Sequence, residues 1–505
     1  MDIRIFDNEA WWGGNVNVGH LFPITKDTCL SFDLNRGLEG SDQFAPLLLS
    51  SEGRFLWSEK AFSVRAENGI LHVETDGGAE LTDGCGDLRG AYLTAMKRHF
   101  PFSGKMPDEL FFTAPQYNTW IELGTDQTTE NILRYAEGIL AGGLKPGVLM
   151  IDGGWQEDFG VFEFHARKVP DPKALIDRLH EWGFKVMLWV SPIVSSAGDR
   201  FKMLRSKGYL VRVNSWRAAV RDWWSGHSAV LDLTNPDACA WMHGEMRRLM
   251  ELYGVDGYKF DAGDAYFYRD DDVIFRPMPA RDHTTCFNEV GAAYRFNEFR
   301  AAYKFGGREI VARLHDKNHS WNHFGLNTLI GHTVMQGLLG YAYGCPDMVG
   351  GGQIKGAAGL GTLDEELYLR GVQANSLMGM MQLSIAPWRV LSAENFEIAK
   401  KYIQLHEDYG QHFAALARHA AETGEPPVRC PEYQFPHEGL AQVTDEYMLG
   451  DDLLVAPVLE KGARERRVHL PHGTWLSDEG KTYEGGQVIT ESVPLDRLCY
   501  YKKVK

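Results

Sequence analysis

The sequence has no CxxC pair and no HExxH motif, and its seven cysteines are scattered from Cys29 to Cys499. An odd, dispersed set supports neither a disulfide framework nor a zinc site. The sequence therefore calls for no metal and no cofactor, and it implies a reducing, cytoplasmic setting. Basic runs are also missing, and the formal net charge is −16. That excludes nucleic acid as a partner, because phosphate backbones demand a cationic face. It excludes an anionic membrane surface for the same reason. No stretch reaches the ~18 apolar residues of a membrane span. The opening Met1-Asp2-Ile3-Arg4-Ile5-Phe6-Asp7 has no apolar core of signal-peptide length.

What is present is a long, aromatic-rich chain. At 505 residues it exceeds one compact core and predicts two to four domains. Its 14 Trp, 20 Tyr and 26 Phe suit large cores and also carbohydrate faces. Residues 1–110 read as a β-sandwich: short runs such as Leu47-Leu48-Leu49 and Ile70-Leu71-His72-Val73 alternate with Gly, Asp and Ser turns. No amphipathic helix pattern shows before residue 100.

Over residues 111–437 strands alternate with helices. Tyr117–Leu123 is a strand, and a helix follows with Ile132, Leu133, Ala136, Ile139 and Leu140 on one face. Gly147–Asp152 is an apolar strand ending in an acid. Asp171-Pro172 opens a helix as N-cap and first-turn proline. Phe184–Val190 is the third strand, and a helix over 236–252 leads to the fourth. Continuous apolar strands of this kind are buried on both faces, as in parallel sheets. A helix over 286–304 precedes a strand at Glu309–Asp316, and a helix over 323–338 precedes one at Gly340–Asp347. Strands at Gln382–Trp388 and, after a long helix over 393–420, at Val428–Cys430 bring the count to eight. Eight βα steps predict an α/β architecture, a closed (β/α)8 TIM barrel, with active-site groups at the C-terminal ends of its strands. Residues 438–505 return to β and form a C-terminal β-domain.

Five predicted strands finish in Asp152, Asp261, Asp316, Asp347 or Trp388, which converges them on the barrel mouth. The fourth, Tyr258-Lys259-Phe260-Asp261, places Lys259 and Asp261 on one face. An ammonium there would keep the carboxylate ionised, as a nucleophile requires. A buried structural ion pair is the alternative. Loops 269–285 and 348–362 are long and lie on the mouth side. They could close the pocket from a neighbouring subunit of a homo-oligomer.

These residues resemble glycoside hydrolase family 31, the retaining α-glycosidases. Lys259-Phe260-Asp261-Ala262-Gly263-Asp264 is similar to the family's nucleophile motif. Asp316, with Ser320 and Trp321 following, matches the spacing after the family's acid/base. Pro346-Asp347-Met348-Val349-Gly350-Gly351 looks like its later Asp-x-Gly-Gly segment. Met448–Val458 is close to the segment that opens its C-terminal β-domain, and Pro46–Trp57 resembles its N-terminal sandwich. Arg313-Leu314-His315-Asp316 stands where α-glucosidases of the family carry a Trp-Gly-Asp type segment. It looks instead like a branch in which α-galactosidase activity is known.

The resemblance implies an exo-acting retaining hydrolase of oligosaccharides or other glycosides, releasing a terminal α-linked hexose (an α-galactoside or α-glucoside). Retention needs two carboxyl groups flanking the glycosidic bond. Asp261 is assigned as nucleophile and Asp316, on the neighbouring predicted strand, as acid/base. Asp152, Lys259 and Asp347 would bind sugar hydroxyls, and Asp264 and Arg313 would assist. Trp155, Trp189, Trp224 and Trp388 are candidate stacking faces. A transglycosylase using the same carboxylates, a non-catalytic glycan-binding barrel and a Schiff-base aldolase on Lys259 remain as alternatives.

Overall fold

The computed structural model describes residues 1–35, 43–353 and 363–505. Residues 354–362 of the second long loop lie outside the described residues. The centre is an eight-stranded parallel sheet curled into a nearly closed barrel. Its strands are β1 (Gln116–Asn118), β2 (Val148–Ile151), β3 (Lys185–Val190) and β4 (Gly257–Phe260), then β5 (Phe296–Phe299), β6 (Ala312–Arg313), β7 (Gly344–Cys345) and β8 (Gln382–Leu383). Ladders run β7-β6-β5-β4-β3-β2-β1-β8. Between β7 and β8 the Val349 amide donates to the Gln382 carbonyl at 2.8 Å.

Helices α1 (Thr129–Ala141), α2 (Pro172–Glu181), α3 (Pro236–Tyr253), α4 (His283–Ala292), α5 (Leu329–Leu338) and α6 (Glu365–Ser376) return the chain to the next strand, and α7 (Ala393–Asp408) follows β8 and leads out of the barrel. Their starts are written in the sequence. Asp171 accepts a hydrogen bond from the Ala174 amide ahead of α2, Asn235 from Asp237 ahead of α3, and Asp364 from Leu367 ahead of α6. Ile132, Tyr135, Ala136 and Ile139 of α1 are buried. Among the described residues no helix is long and apolar enough to cross a membrane.

The count of eight strands holds, but one member differs. The predicted helix over 286–304 stops at Ala292, and Phe296–Phe299 follows as β5. Among the described residues no helix separates β5 from β6; instead Ala302–Tyr303 adds to the N-terminal sheet beside Gln43 and Phe44. A reading based on strand–helix alternation has no signal at this step. Val428–Arg429, taken as the eighth strand, pairs antiparallel with Tyr447–Leu449 in the C-terminal sheet. Asp316 is therefore not on the strand next to Asp261; β5 lies between them.

Other expectations shift locally. Tyr117–Leu123 is a strand only to Asn118, whose side chain accepts from the Trp120 amide and starts a helical turn at Trp120–Leu123. The predicted helix over 393–420 is two helices, α7 and Gly410–Thr423. The N-terminal region holds two antiparallel sheets, and a helix at Leu88–His99 follows them. That helix escaped notice because its apolar face is short: Leu88, Ala91, Tyr92, Ala95 and Met96. The C-terminal region is a six-stranded sheet with a separate two-stranded ribbon.

Candidate active site

Register sets the inward-facing residues. Trp189 of β3, Lys259 of β4 and Glu298 of β5 are direct partners across the three strands. Parallel partners share a face, so their side chains enter the barrel as one row. Just beyond that row the strands end in charge: Asp152 after β2, Asp261 after β4, Arg300 after β5, Arg313 and Asp316 at and after β6, and Asp347 after β7. These are the C-terminal ends of parallel strands, the usual rim for chemistry in this architecture.

Asp261 is fixed by three donors. Its Oδ1 accepts from Arg300 Nε at 2.7 Å and from its neighbour's amide, Ala262 N, at 2.9 Å. Its Oδ2 accepts from Trp189 Nε1 at 2.9 Å. Burial alone would push this carboxyl up, but Arg300, Lys259 and Arg313 outweigh it and hold it well below the usual carboxylate range. The backbone leaves the strand abruptly here. Ala262 has φ 54° and Gly263 φ 75°. A Cβ at Gly263 would lie 2.5 Å from the Phe287 ring, so only glycine fits both the left-handed turn and the close approach.

The expected Lys259–Asp261 pair is not formed. Lys259 Nζ donates to Asp152 Oδ2 at 2.6 Å, and both side chains are buried. Burial would lower the lysine's pKa, but Asp152 first, then Asp261 and Glu298, raise it. The cation that touches Asp261 is Arg300, whose Nη2 also meets Asp264 Oδ2 at 2.7 Å. Asp264 is thus the second carboxylate on the arginine that holds Asp261.

Arg313 organises the other half. Its Nη1 lies 2.6 Å from Asp316 Oδ1 and 3.0 Å from Asp347 Oδ1, and its Nε is 3.3 Å from Glu298 Oε1. The side chain of Asp316 is 26% exposed, against 2% for Asp347. Asp347 also accepts from the amides of Lys317 at 2.6 Å and Gly352 at 2.8 Å. Burial, then the charge of Asp316, push Asp347 up to about 6 against the pull of Arg313. Glu298, buried beneath, is likewise raised by burial, while its Oε2 accepts from Gln382 Nε2 at 2.6 Å.

The tryptophans divide. Trp189 is at the centre, donating to Asp261. Trp224 stands 54% exposed beside it, with the Arg300 guanidinium carbon 5.1 Å from its ring centroid. Trp155 is fully buried; its Nε1 donates to the Trp189 carbonyl at 2.8 Å and its ring packs on Phe164. It props the strand that carries Trp189 and offers no open face. Trp388 packs against Tyr135 and Gly138 of α1, away from the carboxylates. Its position after a proline at a strand end suggested the mouth, but a short helical turn at Pro387–Val390 turns it onto α1.

Sequence reasoning missed Arg300, Glu298 and Lys317. A signal for the first two existed. The 48 residues from Asp261 to Glu309 are long for one βα unit, and Phe296 to Phe299 is aromatic-rich, as strands are. Among the described residues no group of three or more His, Cys, Asp or Glu is arranged to hold a metal ion. The acids instead lie against three cations, Lys259, Arg300 and Arg313. Such an arrangement can hold one carboxylate ionised for attack, keep a second within reach of solvent and proton, and offer hydrogen-bond acceptors to a polyhydroxyl ligand.

Comparison with known proteins agrees with this geometry. The family described as glycosyl hydrolases family 31 TIM-barrel domain matches residues 116–332. The glycosyl hydrolase family 31 C-terminal domain matches residues 424–504. The chain is 32% identical over 432 residues to the myogenesis-regulating glycosidase of Mus musculus, covering 82% of this chain and 60% of that protein. It is 26% identical over 450 residues to an alpha-xylosidase of Emericella nidulans, covering 79% of this chain and 55% of that one. The chain thus spans 60% or less of the length of these two relatives. A family 31 dextranase of Flavobacterium johnsoniae, solved with glucose, superposes with a TM-score of 0.85 at 20% identity, over 100% of this chain and 66% of that one.

Proposed function

Because the chain belongs to glycosyl hydrolase family 31, we propose that it is an exo-acting retaining α-glycoside hydrolase with Asp261 as nucleophile and Asp316 as acid/base. The observation that carries this reading is the unequal treatment of two carboxylates at one rim. Asp261 is immobilised by Arg300, Trp189 and the Ala262 amide. Asp316 has a more open side chain and shares its arginine with Asp347.

The chemistry follows from those contacts. Asp261 Oδ1 is occupied by two donors, while Oδ2 accepts one and keeps a lone pair for the anomeric carbon. As the C–O bond breaks, Asp316 gives its proton to the departing oxygen. The product is a glycosyl ester on Asp261, which cancels that negative charge. Asp316, now a carboxylate beside Arg313, takes a proton from water as the water's oxygen displaces the ester. The sugar leaves with the configuration it had.

Asp152 and Asp347 supply acceptors, and Lys259 a donor, around a terminal α-linked hexose, of galactose or glucose type. Trp224 offers an open aromatic face at the rim. A panel of p-nitrophenyl α-glycosides of galactose, glucose, xylose, N-acetylgalactosamine and sulfoquinovose tests both activity and sugar. NMR of the first-released sugar reads the anomer. Cleavage with the α-anomer appearing first is expected. An initial β-anomer, or no cleavage across the panel, overturns the reading.

A further inference from the structure

A buried polar chain runs from the acid/base segment to the N-terminal region, and none of the chemistry above uses it. Lys317 directly follows Asp316 and is 5% exposed. Its Nζ donates to Thr328 Oγ1 at 2.8 Å and to His332 Nδ1 at 2.9 Å. His332 Nε2 lies 3.0 Å from Nδ1 of the half-buried His20. An ammonium only donates, so His332 Nδ1 must be the acceptor and its proton sits on Nε2. That proton points to the N-terminal turn, where the Asn17 carbonyl also accepts from the His332 ring and an unprotonated His20 Nδ1 accepts at 3.0 Å. Donation runs from Lys317 to His332 and on to the turn Val16–Leu21, at Asn17 and His20.

The chain meets the site through the lysine's backbone. The Lys317 amide donates to Asp347 Oδ2 at 2.6 Å, and its carbonyl accepts from the Gln353 amide at 3.2 Å. Asp316 is bonded to it covalently, so the side chain of Lys317 anchors the peptide between the two acids that share Arg313. The docking that brings His20 into place is itself built in. The short turn Val16–Leu21 lies directly on α5, because Gly19 and Gly331 face each other there. A Cβ on Gly19 would fall 2.4 Å from the Gly331 carbonyl oxygen, and one on Gly331 2.8 Å from the His20 Cα.

We propose that Lys317 is a positioning residue for Asp316 and Asp347, held by a donor relay through His332 to His20, so that docking of the N-terminal region sets the geometry of the acid/base. The inference rests on the glycosidase reading above. His332 faces Lys317, His20 and His315, and His20 faces Lys317 and His323. Burial, then those charges, hold both histidines below the ordinary histidine value. The relay is therefore intact at neutral pH. As pH falls through the lowered pKa of His20, Nδ1 takes a proton and can no longer accept, and the relay loses its His20 end.

The test uses kcat/KM with two leaving groups. A 4-nitrophenyl glycoside needs little protonation on departure, whereas a methyl glycoside of the same sugar depends on Asp316. Lys317→Met is expected to lower kcat/KM for the methyl glycoside by about 10- to 100-fold, the scale of a displaced catalytic group, with a much smaller effect on the 4-nitrophenyl substrate. His20→Leu should move in the same direction. His20→Gln, whose amide oxygen can accept from His332, should recover the loss and remove the acid-side decline expected of the wild-type enzyme. The histidine variants keep the test open if Lys317→Met does not fold. Equal losses on both substrates, or no loss in any variant while Asp261→Ala still abolishes activity, overturns the relay and leaves the glycosidase standing. A wild-type chain that cleaves neither substrate overturns the glycosidase reading, and the relay with it.

Discussion

Lys259 gives its ammonium to Asp152, 2.6 Å away, and not to Asp261 two residues along its own strand. The consequence is a division of labour. Lys259 and Asp152 neutralise each other deep in the mouth, and Asp261 is left to Arg300 and Trp189. Lys259 still helps keep Asp261 ionised, through space. A Schiff-base role for Lys259 would need a lysine released from its carboxylate partner, and here the amine is buried against one.

Removing either carboxylate removes a step. Asp261→Ala is expected to lower kcat by on the order of 10⁴-fold or more on any substrate that the wild-type enzyme cleaves. Asp316→Ala should do the same for substrates with poor leaving groups. Steady-state kinetics on the p-nitrophenyl panel and on the matching methyl glycosides check both. Wild-type turnover by Asp261→Ala would remove the nucleophile assignment.

Arg300→Met should move the acidic limb of kcat/KM to higher pH, because Asp261 loses the cation that lowers its pKa most. The sign for stability is the reverse of a histidine's. A carboxylate depressed in the folded state contributes stability above its unfolded pKa of about 3.9, and loses it as pH falls through the folded value. The drop in Tm caused by Arg300→Met should therefore be larger at pH 7 than at pH 3. Thermal unfolding at the two pH values reads it.

Trp189→Phe keeps the ring against Phe159 and removes the Nε1 donor to Asp261. A hydrogen bond to a charged group is worth roughly 1.5–3 kcal/mol. The expected result is a fall of about 10- to 100-fold in kcat/KM with Tm nearly unchanged. A large fall in Tm with normal kinetics would make Trp189 a packing residue only.

Gly352→Ala tests the roof over the acid pair. A Cβ there would lie 2.8 Å from Asp347 Oδ1 and 2.9 Å from Asp316 Cγ. Both carboxylates must shift to admit it. Activity should fall at least about tenfold, since small displacements of catalytic groups are costly, while circular dichroism stays that of the parent. Unchanged kinetics would mean that the segment after Asp347 moves freely away from the acids.

Asp347→Asn probes a carboxyl raised to about 6 by burial and by Asp316. A carboxyl whose folded pKa exceeds the unfolded value makes the protein less stable as pH rises between the two. The asparagine variant should therefore lose less stability than the wild type on going from pH 4 to pH 6. Denaturant midpoints at those pH values give the difference directly.

Much of the frame was legible because it is local. Apolar runs located β2, β3 and β4, the first and last of them closed by acids, and caps such as Asp171 and Asn235 located the helices behind them. Asp152, Asp261, Asp316 and Asp347 came to one rim because parallel strands must all end on the same side. β5 escaped because no helix follows it, and with it went Arg300 and Glu298. Trp155 and Trp388 were indistinguishable by type from Trp189 and Trp224; only packing separates a prop from an open face.

What the sequence determined by itself was the barrel and the acids at its mouth, since strand period, capping and chain direction act over a few residues. What the tertiary structure alone decided was partnership. Lys259 and Asp152 are 107 residues apart in sequence, Trp189 and Asp261 72, and Arg300 and Asp261 39. Each cation in the mouth had several carboxylates within reach, and low-dielectric burial makes the choice among them depend on fractions of an ångström. Those fractions are set by barrel register and by where the N-terminal region docks, which no local pattern carries.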